Sequence, residues 1–172
     1  DEGIRVETVT VKDDVISSEN FEDRRGVAGD VFVFKVAASA AAKGYDLDKV
    51  KEIAEFANAN TFSMGVALSS ATLPVTGKEI FEMQDGDMEV GMGIHGEPGI
   101  RREKIRPADE VVAEIYNYLK EHTDLTSGDE VAVLVNGLGG LPVMDQYVCY
   151  RKLDELLADD HIKVHKSLVG NY

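Results

Sequence analysis

The chain is poor in cysteine, in positive charge and in long apolar runs, and each shortage excludes something. One cysteine, Cys149, occurs in 172 residues. That rules out an internal disulfide and suits a reducing compartment. Cys149 lies in the apolar run Tyr147-Val148-Cys149-Tyr150 with no cluster of Lys, Arg or His beside it, so it reads as a buried structural thiol rather than an activated thiolate. Basic residues number 18 against 32 acids, a formal net charge of -14. Nucleic acid and anionic membrane both demand a positive face and are disfavoured as partners. The acids are scattered along the chain, the pattern of a solvated surface; an acidic face that docks a basic protein is the other reading. No apolar run approaches the ~20 residues of a membrane span. The start, Asp1-Glu2-Gly3-Ile4-Arg5, lacks the basic and apolar regions of a signal peptide. A phosphate loop of the G-x-x-x-x-G-K-[ST] type is also missing, since Gly77-Lys78-Glu79 has neither the hydroxyl nor the upstream glycine. His122, His161 and His165 make no metal set with any carboxylate pair and read as surface or structural residues.

The chain does have apolar material for a core, at 44% hydrophobic, and a length that suits one domain. Ile4 to Val11 alternates apolar and polar residues and predicts a half-buried strand. The polar stretch 12–25 predicts a loop. An alanine-rich apolar segment, about Val27 to Lys43, predicts a buried helix stopped by Gly44. Asp46 can cap a second helix, whose apolar residues Leu47, Val50, Ile53, Ala54 and Ala57 recur at the helical period. Met64 to Leu68 reads as a short strand and 72–77 as a turn. Ile80 to Met83 and Met88 to Ile94 predict a hairpin across Asp85-Gly86. Pro107 opens a helix with Asp109 and Glu110 in its first turn and a stripe of Val111, Val112, Ile115, Tyr118 and Leu119. Glu130 to Val135 reads as a buried strand, Gly137 to Gly140 as a glycine loop, Pro142 to about Ala158 as a helix, and Ile162 to Val169 as a last strand. Alternating strands and helices predict an α/β fold, a layered mixed β-sheet flanked by helices, with residues 1–172 as a single domain.

One run stands apart: Gly91-Met92-Gly93-Ile94-His95-Gly96-Glu97-Pro98-Gly99-Ile100-Arg101-Arg102. A lone histidine sits among four glycines, where a ligand can approach the backbone closely. Imidazole is the side chain suited to nucleophilic or acid/base work near neutral pH. The run formally satisfies G-x-G-x-x-G, but Glu97-Pro98-Gly99 follows instead of a helix, which excludes a dinucleotide site. Gly137-Leu138-Gly139-Gly140, between a strand and a helix, is the better anion candidate; a tight turn packing helix on strand is the favoured reading. Arg24-Arg25 and Arg101-Arg102 read as turn anchors held by carboxylates more than as phosphate ligands. His95 is thus the candidate site residue. As a nucleophile it needs one ring nitrogen unprotonated and the other donating to an acceptor; Glu97 and a backbone carbonyl are both available for that.

The run resembles the signature of the dihydroxyacetone kinase substrate-binding subunit family. Arg24-Arg25-Gly26-Val27-Ala28-Gly29, Gly65-Val66-Ala67-Leu68-Ser69, Val135-Asn136-Gly137-Leu138-Gly139-Gly140 and Ser167-Leu168-Val169-Gly170-Asn171-Tyr172 resemble further family blocks in the same order. Asp23 stands where the family usually has glycine. The resemblance implies that His95 binds the ketone of dihydroxyacetone covalently, as a hemiaminal. It implies a homodimer in the cytoplasm, with ATP or ADP and magnesium held by a separate subunit or domain and no cofactor on this chain. It also implies relatives that sense dihydroxyacetone as coactivators of a transcription regulator, and kinases for other short ketoses. The family's Gly-Ser-Gly-His-Glu turn does not occur in this sequence. The chain therefore reads as an internal piece of a longer subunit, mainly its second domain.

Overall fold

A computed structural model describes residues 2–172. Two units divide the chain, Asp1–Ser63 and Met64–Tyr172.

In the first unit, helix α1 spans Asp30–Ala42 and α2 spans Leu47–Ala59, and the two pack on each other. Asp46 caps α2 as its sequence position predicts, its carboxylate accepting the Lys49 N–H at 2.8 Å. Helix α1 corrects the expectation of a buried helix. Val31, Val33 and Ala40 are buried, while Phe34 and Val36 are exposed. Its apolar residues lie all round the helix, and one helical neighbour covers one side only. The strand expected over Ile4–Val11 does not form. Residues 4–11 join no strand ladder, with Ile4 and Val6 exposed; β-branched alternation makes a strand only when a neighbour supplies the ladder.

The polar stretch before α1 hides a buried carboxylate clasp. Asp13 is fully buried and accepts the Val27 and Gly29 N–H groups, each at 2.7 Å. Asp14, also buried, takes a forked hydrogen bond from Arg25 at 2.7 and 3.0 Å. Burial pushes the Asp14 carboxyl up, against the pull of Arg25. A Cβ on Gly29 would lie 2.4 Å from the Asp13 carboxylate, and one on Gly26 2.8 Å from the Val11 carbonyl. The Arg-Arg-Gly-Val-Ala-Gly block is thus a backbone path wrapped around two acids. Arg25 does what its sequence reading proposes, and Arg24 instead donates to the Ser18 carbonyl.

The second unit holds β1 (Val66–Ala67), β2 (Asp87–Val90), β3 (Arg101–Lys104), α3 (Ala108–Glu121), β4 (Glu130–Asn136), α4 (Val143–Asp159) and β5 (Lys163–Gly170). The mixed α/β class holds, with its strands in two sheets. One is antiparallel, in the order β1-β2-β3; the other is a parallel pair, β4-β5. Tyr116 of α3, Val133 of β4, Leu157 of α4 and Ile162 form a core cluster. Pro107 and Pro142 stand at the N-caps of α3 and α4, one position before the first-residue placement expected. β4 is half-buried rather than buried. Cys149 is half-buried on α4, and burial raises its thiol above the ordinary range, consistent with an inert structural thiol.

The hairpin partner is also corrected. β2 pairs not with 80–83 but with β3, in the register Glu89↔Arg102 and Val90↔Arg101. Asp85-Gly86 still turns the chain, with Gly86 at φ 79°. It opens β2 by an Asp87 N–H bond to the Gln84 carbonyl rather than closing a tight hairpin. The partner strand lies beyond the glycine run, so the loop between β2 and β3 contains His95.

Candidate substrate site around His95

The loop begins where β2 ends. Met88, Glu89, Val90, Gly91, Met92 and Gly93 are all buried, and the chain surfaces at Ile94 and His95. Gly91 donates to the Gly65 carbonyl at 2.7 Å. A turn then closes on itself: Gly93 N–H bonds the Glu97 carbonyl at 3.0 Å and Gly96 N–H bonds the Gly93 carbonyl at 3.1 Å. Gly96 adopts φ 86°, a conformation that glycine tolerates. A Cβ there would come within 3.2 Å of the Phe81 ring. The segment misread as a hairpin arm therefore lines the underside of the turn.

His95 is presented outward on this turn, its side chain 79% exposed. The choice between Glu97 and a backbone carbonyl is decided in favour of Glu97. His95 Nδ1 lies 3.2 Å from Glu97 Oε1, and the His95 amide donates to Glu97 Oε2 at 3.0 Å. An ionised carboxylate only accepts, so in the neutral ring the hydrogen sits on Nδ1 and the Nε2 lone pair is left free. The Glu97 carboxyl is held below the ordinary carboxylate range, first by its own backbone N–H and then by the amide and ring of His95, against the opposing effect of burial.

The far side of the loop is fastened by Glu89, which sequence reading missed. Its side chain is 9% exposed. Oε1 accepts the Gly99 N–H at 2.8 Å and Oε2 accepts Arg102 at 2.6 and 3.0 Å. The hydrogen bond from Arg102, then that from Gly99, holds this carboxyl below its usual range. Arg102 is therefore a carboxylate-held anchor, as is Arg101, which binds Glu103 at 3.2 Å and also Glu114. A lowered folded value means that Glu89 stabilises the fold above the ordinary carboxylate range. That contribution disappears as pH falls through the lowered value. Glu89→Gln should lose stability at neutral pH and also lose part of the acid dependence. Urea unfolding at pH 7 and at about pH 3 checks this; equal acid sensitivity in both proteins would contradict it.

The second glycine loop does not offer an anion cradle. Its amides are occupied: Gly137 N–H by the Gly170 carbonyl, Leu138 by Asn136, Gly139 by Asn171, and both Gly140 and Leu141 by the Gly137 carbonyl. A Cβ on Gly137 would sit 1.9 Å from Gln146 and 2.4 Å from Asn171. The loop is the tight turn that packs α4 against the ends of β4 and β5. The remaining histidines lie apart from His95 in sequence and hold local contacts. His122 caps α3, bonding the Tyr118 carbonyl at 2.8 Å and stacking on the Tyr118 ring. His165 faces Glu130 at 3.5 Å. Among the described residues no group of three or more His, Cys, Asp or Glu is placed to hold a metal ion, and no helix is long and apolar enough to cross a membrane.

Residues 1–172 match the Dak1 domain model throughout. The chain belongs to the Dak1 family. A Dak1 relative from Listeria innocua, "PTS-dependent dihydroxyacetone kinase 2, dihydroxyacetone-binding subunit DhaK", is 71% identical over the whole chain, which covers 52% of that protein. The Dak1 chain thus spans about half the length of such a curated relative. A solved "Dihydroxyacetone kinase operon co-activator Dha-DhaQ" superposes with a TM-score of 0.88 at 29% identity, over 99% of this chain and 53% of the other. The dihydroxyacetone kinase of C. freundii, solved with AMP-PNP and Mg2+, superposes with a TM-score of 0.76 at 35% identity, over 98% of this chain and 31% of that one.

Proposed function

We propose that this Dak1 chain is the second α/β domain, with linking segments, of a dihydroxyacetone kinase substrate-binding subunit, and that His95 captures dihydroxyacetone covalently. The observation that carries the reading is the exposed imidazole on a glycine turn, with Nδ1 tied to Glu97 and Nε2 open. A nucleophile of that form adds to a ketone carbon, and the product keeps a hydroxyl. The adduct accounts for selectivity better than for rate. Glycerol offers no carbonyl, so covalent capture refuses a polyol that hydrogen bonds alone separate poorly.

Phosphoryl transfer to the terminal hydroxyl belongs to an assembly larger than this chain. Groups outside residues 1–172 activate the hydroxyl, and a partner subunit or domain carries ATP or ADP with magnesium. The nucleotide's place in the partner is consistent with the filled amides of the Gly137–Gly140 loop. The subunit works as a cytoplasmic homodimer in this reading. The name of the Listeria relative favours the branch recharged by the sugar phosphotransferase system over direct use of ATP.

The close superposition on a co-activator keeps a second reading open, in which His95 binds dihydroxyacetone as a signal to a transcription regulator. One assay separates the two. The full-length protein is mixed with dihydroxyacetone and the nucleotide-loaded partner, and dihydroxyacetone phosphate is measured. Partner-dependent product supports the kinase subunit. An adduct on His95 without product supports the sensor. A preference for a four-carbon ketose in the same assay would reassign the substrate.

A further inference from the structure

The proton count at His95 leads beyond capture itself and rests on that reading. When the Nε2 lone pair forms a bond to the ketone carbon, the carbonyl π pair moves to oxygen, which takes a proton from solvent. The ring still carries its Nδ1 hydrogen, so bonded at both nitrogens it becomes a cation. Before addition the His95–Glu97 pair bears one negative charge, on the carboxylate; after addition it is a neutral ion pair, and one proton has been taken up overall. A carbonyl oxygen at Nδ1 would hold the same tautomer without offsetting the new charge. A carboxylate does both, and here it sits 3.2 Å from Nδ1.

We infer that Glu97 is a positioning residue that also balances the charge created on His95 when the ketone is captured. Three features support this. Glu97 is held by two separate contacts to His95, one to the ring and one to the amide, so its carboxylate tracks the ring. Its carboxylate is kept ionised by neighbouring N–H groups. The glycine turn, closed by the Gly93 bond to the Glu97 carbonyl, fixes the spacing of the two residues through the backbone. The attraction between a ring cation and the carboxylate exists only after addition, so the ion pair favours the adduct over free ketone.

The test uses the full-length protein with 15N-labelled histidine and dihydroxyacetone labelled with 13C at the carbonyl. Ring nitrogen shifts report the tautomer without ligand, and the carbonyl carbon reports the adduct. In the unaltered protein His95 should carry its hydrogen on Nδ1. Glu97→Gln should keep that tautomer, because the amide oxygen still accepts, yet bind dihydroxyacetone about fivefold more weakly, the worth of an exposed ion pair. Glu97→Ala should lose both. The signals of His122 and His165 serve as a check that each variant is folded. Undiminished capture in Glu97→Gln would overturn the charge-balancing role while leaving capture by His95 intact. Absence of any adduct in the unaltered protein would instead overturn capture itself.

Discussion

His95→Ala in the full-length protein should abolish the dihydroxyacetone adduct and cut discrimination against glycerol by about 100-fold, or ~2.7 kcal/mol at 1.36 kcal/mol per tenfold. The two ligands differ at one carbon, a ketone in one and a secondary alcohol in the other. Both offer hydroxyls at each end, and a pocket that reads only hydroxyls separates them weakly. The bond from Nε2 to the carbonyl carbon is available to the ketone alone, so the imidazole carries the difference. His95 is 79% exposed at the side chain and lies outside the core, so the variant should fold normally, and its thermal transition should match the parent. Competition between the two ligands, read as the ratio of dissociation constants, is the measurement. An alanine variant that keeps the full preference for dihydroxyacetone would show that selectivity lies elsewhere in the pocket.

Gly99→Ala should destabilise the second unit by about 3 kcal/mol, the sum of overpacking and a disturbed hydrogen-bond set. A Cβ at residue 99 would lie 2.2 Å from the Val90 carbonyl oxygen and 2.9 Å from its carbon. Those are backbone atoms of β2 and cannot swing aside as a flexible side chain could. The chain would have to retreat from β2, opening the Ile100 N–H bond to Val90 at 2.9 Å and the Gly99 N–H bond to Glu89 at 2.8 Å. Because Glu97 lies two residues before Gly99, that retreat also loosens the carboxylate against His95, and capture should weaken along with stability. Gly86→Ala is the control. It has a positive φ, which Gly99 lacks, and open space around it, so it should cost about 1 kcal/mol from backbone strain alone. Equal losses in the two variants, measured by urea unfolding, would mean that packing against β2 is not what requires glycine at 99.

Much of the fold was legible in local patterns. The 3.6-residue period marked α2 and α3, Asp46 marked the start of α2, and the two prolines marked the starts of α3 and α4 within one residue. The Gly137 loop is the tight turn that its sequence reading favours. The errors came where a local pattern has several partners to choose from. Ile4–Val11 has the alternation of a strand and no neighbour to pair with among the described residues. Ile80–Met83 looked like the arm of a hairpin, but the arm that β2 takes is Arg101–Lys104. Local sequence does not encode which segment wins a strand edge; here the charged segment Arg101–Lys104 wins it, and that pairing buries Met88, Glu89 and Val90 together.

The same division runs through the site. The sequence by itself determined that His95 is the reactive candidate, since a lone imidazole among closely spaced glycines is a statement about residue types and spacing. Its proximity to Glu97 was visible too, but not which acceptor Nδ1 uses. Only tertiary structure decided that, along with the role of Glu89. In the alternating pattern of β2 Glu89 has the position of a solvent-facing residue, yet it is buried because Arg102, thirteen residues on, is its direct partner across the β2–β3 register. Hydrogen bonds and ion pairs between distant residues depend on register, and register is a property of the folded sheet rather than of any segment in it.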